Sequence, residues 1–162
     1  MFDQTQQKTG TDIKVDTVEG TVAAAMHHPT VAMTDEGKAL VAWQMLAAKE
    51  NWNIKVRVFD GNGTPVTPTE LTLHTDAKGD HINPSANVFQ ENQFLIVWEK
   101  HLKWEQYKDL EIIHQSIQAA IVNGSGEIGK SEFDIDAPAF TKKQNPKAVR
   151  LQQGGMVLWQ VK

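Results

Sequence analysis

Runs of apolar residues that end at a tryptophan recur along the chain, at residues 40–43, 95–98 and 157–159. Nearly every position in these runs is apolar, which is typical of a β-strand that is covered on both faces. Shorter runs at 70–74 and 132–136 alternate apolar and polar residues, as half-exposed outer strands do. No window shows the apolar spacing of an amphipathic helix. The pattern therefore predicts an all-β protein.

The order of these runs repeats. A proline precedes each tryptophan by 13 or 14 residues, in the pairs Pro29 and Trp43, Pro84 and Trp98, and Pro146 and Trp159. Blocks rich in Val, Ile and Ala follow at 54–63 and 117–126, and each ends in a turn sequence, Asp-Gly-Asn-Gly or Asn-Gly-Ser-Gly. Because Gly and Asn tolerate positive φ, these sequences favour tight hairpins. One repeat thus contains four antiparallel strands, which we name A to D in chain order.

Four-stranded antiparallel units that recur every 55 to 62 residues are typical of β-propeller blades. We predict that residues 1–162 form a single partial propeller, with two whole blades and parts of a third. The predicted units are a blade remnant at 1–17 that contains a strand D at 12–17, blades at 28–75 and 83–137, and a partial blade at 145–162.

These units do not close a ring, because propellers have about four to eight blades. Joining the two ends of the chain does not supply a strand C, since only about five residue steps would separate Trp159 from Phe2. Three possibilities stay open: the chain is part of a longer repeat protein, it self-associates into a ring, or it joins an open assembly with other subunits. Among the self-associated forms we favour a dimer of about six blades.

The composition of the chain excludes several kinds of functional site. The absence of Cys excludes disulfides, thiolate nucleophiles and Cys-ligated metals. A net charge of −4 argues against nucleic-acid binding through overall charge, and no apolar stretch reaches the roughly 18–20 residues needed to insert across a membrane. Residues 1–20 are polar and lack an apolar segment, so we expect no signal peptide in this chain.

The loops of a propeller divide between its two faces, and in this chain the B–C and D–A connections carry the unusual residues. We predict that the B–C loop of the second blade is enlarged by eight residues relative to the first. Loops that grow on one face of a rigid scaffold often serve recognition, and Trp and Tyr offer large amphipathic contact areas. The candidate ligand-binding residues on this face are Trp52, His101, Trp104, Tyr107, His28 and His81.

Each of these residues also has a purely structural interpretation. The tryptophans that end each strand B are expected to be packing residues, and Trp104 and Tyr107 could equally cover the rim of a blade. His28 and His81 would form a metal site only if the ring brought them together, and no HExxH pattern exists, so we expect neither metal nor cofactor. Residues 60–63 fit a hairpin turn better than a calcium loop, because the later acidic ligand of an EF-hand is missing.

Sequence motifs for catalysis are also missing: there is no Gly-x-Ser-x-Gly, no P-loop and no dinucleotide fingerprint. Carboxylates recur on strand D, the outermost strand, where we expect them to discourage edge pairing. We therefore assign no catalytic residue. The sequence favours a non-enzymatic binding or scaffold module that recognises a protein or a glycan. The alternative is a hydrolase or lyase whose active site forms only in the complete ring.

The order of motifs also resembles a known class of repeats. An Asn-Pro or His-Pro pair followed closely by Ala, then Val-x-Trp-Gln, Phe-Asp-x-x-Gly and a Glu-Phe-x-Val-like strand is similar to the roughly fifty-residue propeller-like repeats of large bacterial secreted and surface proteins. The similarity covers nearly the whole chain. It departs from the pattern at Val122 and Asn123, which replace Phe-Asp, and in the long insertion after Trp98. The resemblance implies a propeller fold and an extracellular or periplasmic location, but no particular activity.

Overall fold

The computed structural model describes residues 11–17, 25–46, 51–75, 78–104, 112–139 and 141–162. Within these ranges the chain forms ten β-strands and no helix, so the prediction of an all-β protein is confirmed. The described residues accordingly include no helix of the length and apolarity that a membrane span requires.

The strands form three sheets. Sheet 1 contains β1 (Ala25–Met33), β2 (Ala39–Leu46), β3 (Trp52–Phe59) and β4 (Leu71–Thr72). Sheet 2 contains β5 (Asp80–Gln90), β6 (Gln93–Trp104), β7 (Ile112–Asn123) and β8 (Ile128–Ala139). Sheet 3 contains β9 (Lys143–Arg150) and β10 (Gly155–Val161). Neighbouring strands are antiparallel and follow chain order, so the predicted four-stranded antiparallel sheets are confirmed.

Two sequence-based predictions differ from the structure. The part of the enlarged B–C loop up to Trp104 is wrong as a loop, because β6 and β7 stay paired from Gln93 and Asn123 out to Trp104 and Ile112. The residues from Lys100 to Trp104 lengthen the ladder, which satisfies backbone groups that a loop would leave to water. The strand D predicted at 12–17 is also wrong as a regular strand, since residues 11–17 have no ladder partner among the described residues.

Alternation along β6 explains the unbroken apolar run at residues 94–98. Ile96 and Trp98 belong to a core that also contains Leu40 of β2, so they face sheet 1. Leu95 and Val97 belong to a second core with residues of sheet 3, so they point the opposite way. Successive side chains of a strand project from opposite faces, and here both faces are covered. Sheet 2 is therefore the middle layer of a three-sheet stack.

Each sheet packs on the preceding sheet in the same orientation. β5 lies against β1, β2 and β3 of the preceding sheet, and β9 lies in the same way against β5, β6 and β7. The first strand of each sheet thus contacts the first strand of the sheet before it. This arrangement brings β1, β5 and β9 together and places their residues around a common region.

Candidate functional site

Each first strand contains a backbone kink immediately before its proline. His28, Asn83 and Asn145 have φ angles of 51°, 54° and 54°. Positive φ is uncommon outside glycine, and Asn and His are among the residues that tolerate it best. The strand register shifts at each of these places, which marks three equivalent β-bulges. We refer to His28, Asn83 and Asn145 as the kinked residues.

The backbone N–H of a kinked residue donates to the preceding sheet. The N–H of Asn83 donates to Gln44 Oε1 at 2.8 Å, and that of Asn145 donates to Glu99 Oε1 at 2.7 Å. Gln44 and Glu99 each follow the tryptophan of a second strand. The same bond therefore joins sheet 1 to sheet 2 and sheet 2 to sheet 3. We call this bond the inter-sheet link.

The kinked asparagines also donate within their own sheets. Asn83 Nδ2 donates to Glu99 Oε1 at 2.8 Å, and Asn145 Nδ2 donates to Gln160 Oε1 at 3.1 Å. A carbonyl or carboxylate oxygen accepts two such bonds through its two lone pairs. Glu99 Oε1 uses both, one for its own sheet and one for the next sheet.

Glu99 is the most enclosed acidic group of the site, with 1% of its side chain exposed. Its second oxygen, Oε2, lies 2.8 Å from Nε2 of His101. Burial acts to raise the pKa of Glu99, but the hydrogen bonds from His101, the Asn145 N–H and Asn83 outweigh it and hold that pKa below its ordinary value of 4.5. A carboxylate that stays ionised at neutral pH is unsuited to general-acid catalysis. Its contacts make it a fixed acceptor between two sheets.

A hydroxyl group adds a further bond beside each link. Thr30 Oγ1 accepts the N–H of Ala86 at 3.4 Å, and Ser85 Oγ accepts the N–H of Ala148 at 3.2 Å. Thr30 and Ser85 each follow the proline of their first strand. Lys147 occupies the equivalent position of sheet 3 and offers no acceptor there.

The outer edges of the sheets are joined by a second repeated contact. Thr75 donates its N–H and its hydroxyl to the two carboxylate oxygens of Glu132, at 2.8 and 2.9 Å. Thr17 donates in the same way to Glu70. Residues 11–17 therefore lie against sheet 1 as the end of sheet 1 lies against sheet 2. We call this contact the Thr–Glu contact.

The Thr–Glu contact also affects protonation. Burial acts to raise the pKa of Glu70, but the hydroxyl and N–H of Thr17, with the charge of Arg57, hold it below its ordinary value. The sequence-based interpretation of these acids as guards against edge pairing missed this role. The sequence could have indicated this contact, because threonines occupy equivalent positions, 17 and 75, of two repeats.

A cavity of about 250 Å³ lies where the three first strands converge. Its wall consists of the kinked residue and the proline of every first strand, together with Thr30 and Lys147. The His28 and Lys147 side chains are exposed. The wall therefore offers an imidazole, an amine and proline rings, which suit a polar ligand with apolar patches.

Two of the candidate ligand-binding residues lie at this end of the molecule. His28 lines the cavity, and its ring centroid lies 6.3 Å from that of His27. Trp52 is half-buried at the start of β3 and meets the His27 ring edge-on at 5.3 Å. Its backbone N–H donates to Asp80 Oδ1 at 3.1 Å, which ties this corner to sheet 2. His28, His27 and Trp52 thus form one aromatic group beside the cavity.

Two other candidates are engaged inside the protein. His81 is fully buried and stacks on the His74 ring, with the centroids 3.7 Å apart and the rings nearly parallel. His101 is partly exposed, and its Nε2 is bonded to Glu99. Neither ring reaches the cavity wall. The sequence placed both at a loop face, but the strand lengths place them within β5 and β6.

The two remaining candidates are Trp104 and Tyr107. Trp104 is the last residue of β6, and nothing is described of its side chain. Tyr107 lies outside the described residues. Over the described part of the chain, no three His, Asp or Glu side chains are grouped so as to hold a metal ion.

Two packing predictions are confirmed. Trp43 and Trp98 are 4% and 0% exposed, as expected of core residues, whereas Trp159 is half-buried. The turn at 60–63 is a hairpin turn, because Asp60 Oδ1 accepts the N–H groups of Asn62 and Thr64 at 2.9 and 2.8 Å. The Asp60 carboxylate therefore stabilises the turn itself.

Comparison with known proteins adds no assignment: no protein family model and no curated protein matches the chain. The geometry of the cavity and of the repeated contacts therefore carries the functional argument.

Proposed function

We propose that the chain is a non-enzymatic binding or scaffold module of β-propeller type, which recognises a protein or a glycan. Sheets 1 and 2 are two whole blades and sheet 3 is part of a third. The observation that carries the proposal is the convergence of three equivalent kinked strands on one cavity. Concave sites of this kind, walled by rigid strands, are common ligand sites.

The repeated contacts support the propeller geometry. Each sheet meets the next through the inter-sheet link near the cavity and through apolar packing between their faces. The Thr–Glu contact ties the outer edges in the same order. When each sheet packs on the one before it with the same rotation, the sheets are arranged about a common axis. Such an arrangement closes into a ring if a whole number of these rotations makes one full turn.

The chemistry of the cavity favours binding over catalysis. Glu99 is the buried carboxylate beside it, and both of its oxygens already accept hydrogen bonds from neighbouring residues. His28 and Lys147 are exposed at the wall and can donate to hydroxyl or carboxylate oxygens. Trp52 lies beside this group and supplies an aromatic surface of the type that stacks on sugars and on apolar side chains. Trp104 and Tyr107, the other aromatic residues of the predicted recognition face, belong to the same proposal.

The ring is completed by a second copy or by the remainder of a longer chain. An extracellular or periplasmic location is part of the proposal and rests on the resemblance to secreted and surface repeat proteins. A hydrolase or lyase whose site forms only in the complete ring is the second candidate. It is favoured by the imidazole and amine that His28 and Lys147 place on one cavity wall.

Glycan-array binding with the full chain tests the proposal. We expect the Trp52→Ala and His28→Ala variants to lose at least about tenfold in affinity, since each removes a central contact. Glu36→Ala, in the exposed turn between β1 and β2, is the matched control and should bind as the parent does. If the parent chain binds no glycan on the array, the proposal that it recognises a glycan is wrong. Turnover of a bound glycan, lost in His28→Ala, would favour the enzyme.

A further inference from the structure

The three-sheet stack has two different open ends. On the second strands, the positions that face the next sheet are Leu40 and Ala42 in sheet 1, and Leu95 and Val97 in sheet 2. Met156 and Leu158 are the equivalent positions of β10, counted from the tryptophan. They are 38% and 51% exposed. Gln160 stands where Gln44 and Glu99, the acceptors of the inter-sheet link, stand in sheets 1 and 2, and it is also exposed. We call Met156, Leu158 and Gln160 the tail surface.

The opposite end carries the complementary positions. On β5, Ala86 and Val88 face the preceding sheet and belong to its core. Their equivalents on β1, counted from the proline, are Val31 and Met33, which are 64% and 65% exposed. We call Val31, Met33 and the kinked residue His28 the head surface.

Apolar cavities lie beside the head surface. Two cavities of about 180 and 190 Å³, with mainly apolar walls, lie between residues 11–17 and the first strands of sheet 1. Val15 and Val41 line both, and Met33 lines the second. Both ends of the stack therefore present apolar side chains to solvent.

We propose that a second copy of this chain docks head to tail on these surfaces. Met156 and Leu158 of one copy pack on Val31 and Met33 of the other, and Gln160 Oε1 accepts the N–H of His28. Each copy contributes three sheets, so two such contacts close a ring of six. The inference rests on the blade packing of the proposed function and is independent of its ligand.

The inter-sheet link is the reason to choose a second copy over an unrelated apolar partner. Gln160 Oε1 accepts from the Asn145 side chain as Glu99 Oε1 does from that of Asn83. Its second lone pair corresponds to the one that Glu99 offers to the next sheet. His28 shares the positive φ that turns the Asn83 and Asn145 N–H groups toward their acceptors. Each end therefore carries one half of a bond that occurs twice within the chain.

The head-to-tail contact is weaker than the contacts within the chain. Lys147 stands where Thr30 and Ser85 supply the hydroxyl acceptors, so that bond is lost. Association also costs translational and rotational freedom that sheets within one chain have already lost. The dimer should therefore dissociate on dilution.

Light scattering after size-exclusion chromatography tests the proposal on the full chain. We expect a mass of about 36 kDa, twice the 18.1 kDa of the chain, at high protein concentration. Leu158→Lys and Met33→Glu should each give the mass of one chain, with unchanged circular dichroism. Ile128→Lys is the matched control: it charges an apolar side chain that is 41% exposed on β8, away from both surfaces, and should leave the dimer intact.

Mixing the two variants provides the decisive result. An equimolar mixture of Leu158→Lys and Met33→Glu has one unaltered contact and one Lys–Glu pair, so dimers should form again. A parent chain that stays monomeric at high concentration, variants that dimerise as the parent does, or a mixture without dimers would each overturn the proposal. A monomeric parent would point instead to further repeats of a longer chain as the occupant. Ligand binding on the array is a separate readout, so the two proposals can fail independently.

Discussion

The junction between sheets 1 and 2 and the junction between sheets 2 and 3 share a donor but differ in their acceptor. At the first, the neutral Gln44 accepts the N–H of the kinked residue; at the second, the charged Glu99 does so. Two residues further along the strand, the first junction has Leu46 and the second has His101, which contacts the carboxylate at 2.8 Å. The comparison teaches that the geometry of the link is repeated, while its charge depends on a local partner.

Physical chemistry explains the pairing. Burying an isolated carboxylate removes its hydration, and the free energy lost far exceeds what one hydrogen bond returns. Burying a neutral amide costs much less free energy. Glu99 is nearly inaccessible to solvent but accepts three hydrogen bonds from protein groups. Gln44 fills the same place as a neutral amide, which needs no counter-charge. The second junction is therefore the more sensitive of the two to loss of a single partner.

Removing the acceptors should give the largest contrast. Glu99→Ala leaves the Asn145 N–H, the Asn83 amide and the His101 ring without their acceptor, and we expect a loss of about 3–5 kcal/mol in the free energy of unfolding. Gln44→Ala removes the acceptor of a single N–H and should cost about 1–3 kcal/mol. Urea denaturation measures both. Equal losses would contradict the distinction between the junctions.

Transplanting the charge should have the next largest effect. Gln44→Glu places a carboxylate at a position that is 5% exposed, where Leu46 stands in place of the histidine that contacts Glu99, and should cost about 2 kcal/mol. Adding Leu46→His supplies the partner seen at the second junction and should recover at least half of that loss. Leu46→His alone is the control. If the double variant is no more stable than Gln44→Glu, His101 does not stabilise Glu99 as we argue.

A smaller effect concerns acid stability. Because the pKa of Glu99 is lower in the folded protein than in the unfolded chain, its ionised form stabilises the fold above pH 4.5, the ordinary pKa. That contribution is lost as the pH falls below 4.5 and through the folded pKa. Glu99→Gln should therefore flatten the decline of unfolding free energy over this range. Glu70, whose pKa is also lowered, leaves a residual slope that Glu70→Gln should reduce further.

The smallest effect is expected at the outer edge. Thr75→Val removes the hydroxyl bond to Glu132 and retains the backbone N–H bond, at an exposed site. We expect a change within about 0.5 kcal/mol, because exposed polar contacts contribute little. Thermal unfolding of the variant beside Thr69→Val, at another exposed threonine, provides the comparison. A loss as large as that of Gln44→Ala would mean that the sheets are held at their outer edges instead.

Local features of the chain were predictable from its sequence. The burial of Trp98 follows from the apolar run around it, and the hairpin at Asp60 follows from glycines that tolerate positive φ. The link between Asn83 and Gln44 was not predicted, because 39 residues separate its donor and acceptor and only the stacking of sheets brings them together. A Gln or Glu after the tryptophan that ends each apolar run was visible in the sequence, but nothing local assigns it a partner.

The candidate site was predicted only in part, for a similar reason. His28 lies at the cavity because it is the kinked residue of β1, whereas His81 lies in the interior because it stands two residues before the kink of β5 and stacks on His74. Both appear as histidines in a connection between strands when only the sequence is considered. The extent of strand pairing decides between a loop and a ladder, and that extent depends on the partner strand.

Amide hydrogen exchange at the kinked residues tests the inter-sheet link most directly. We predict that the N–H groups of Asn83 and Asn145 are protected in the folded chain, that Gln44→Ala abolishes protection of Asn83 alone, and that the His28 N–H gains protection as protein concentration rises. Rapid exchange at both asparagines in the folded parent chain would contradict the account.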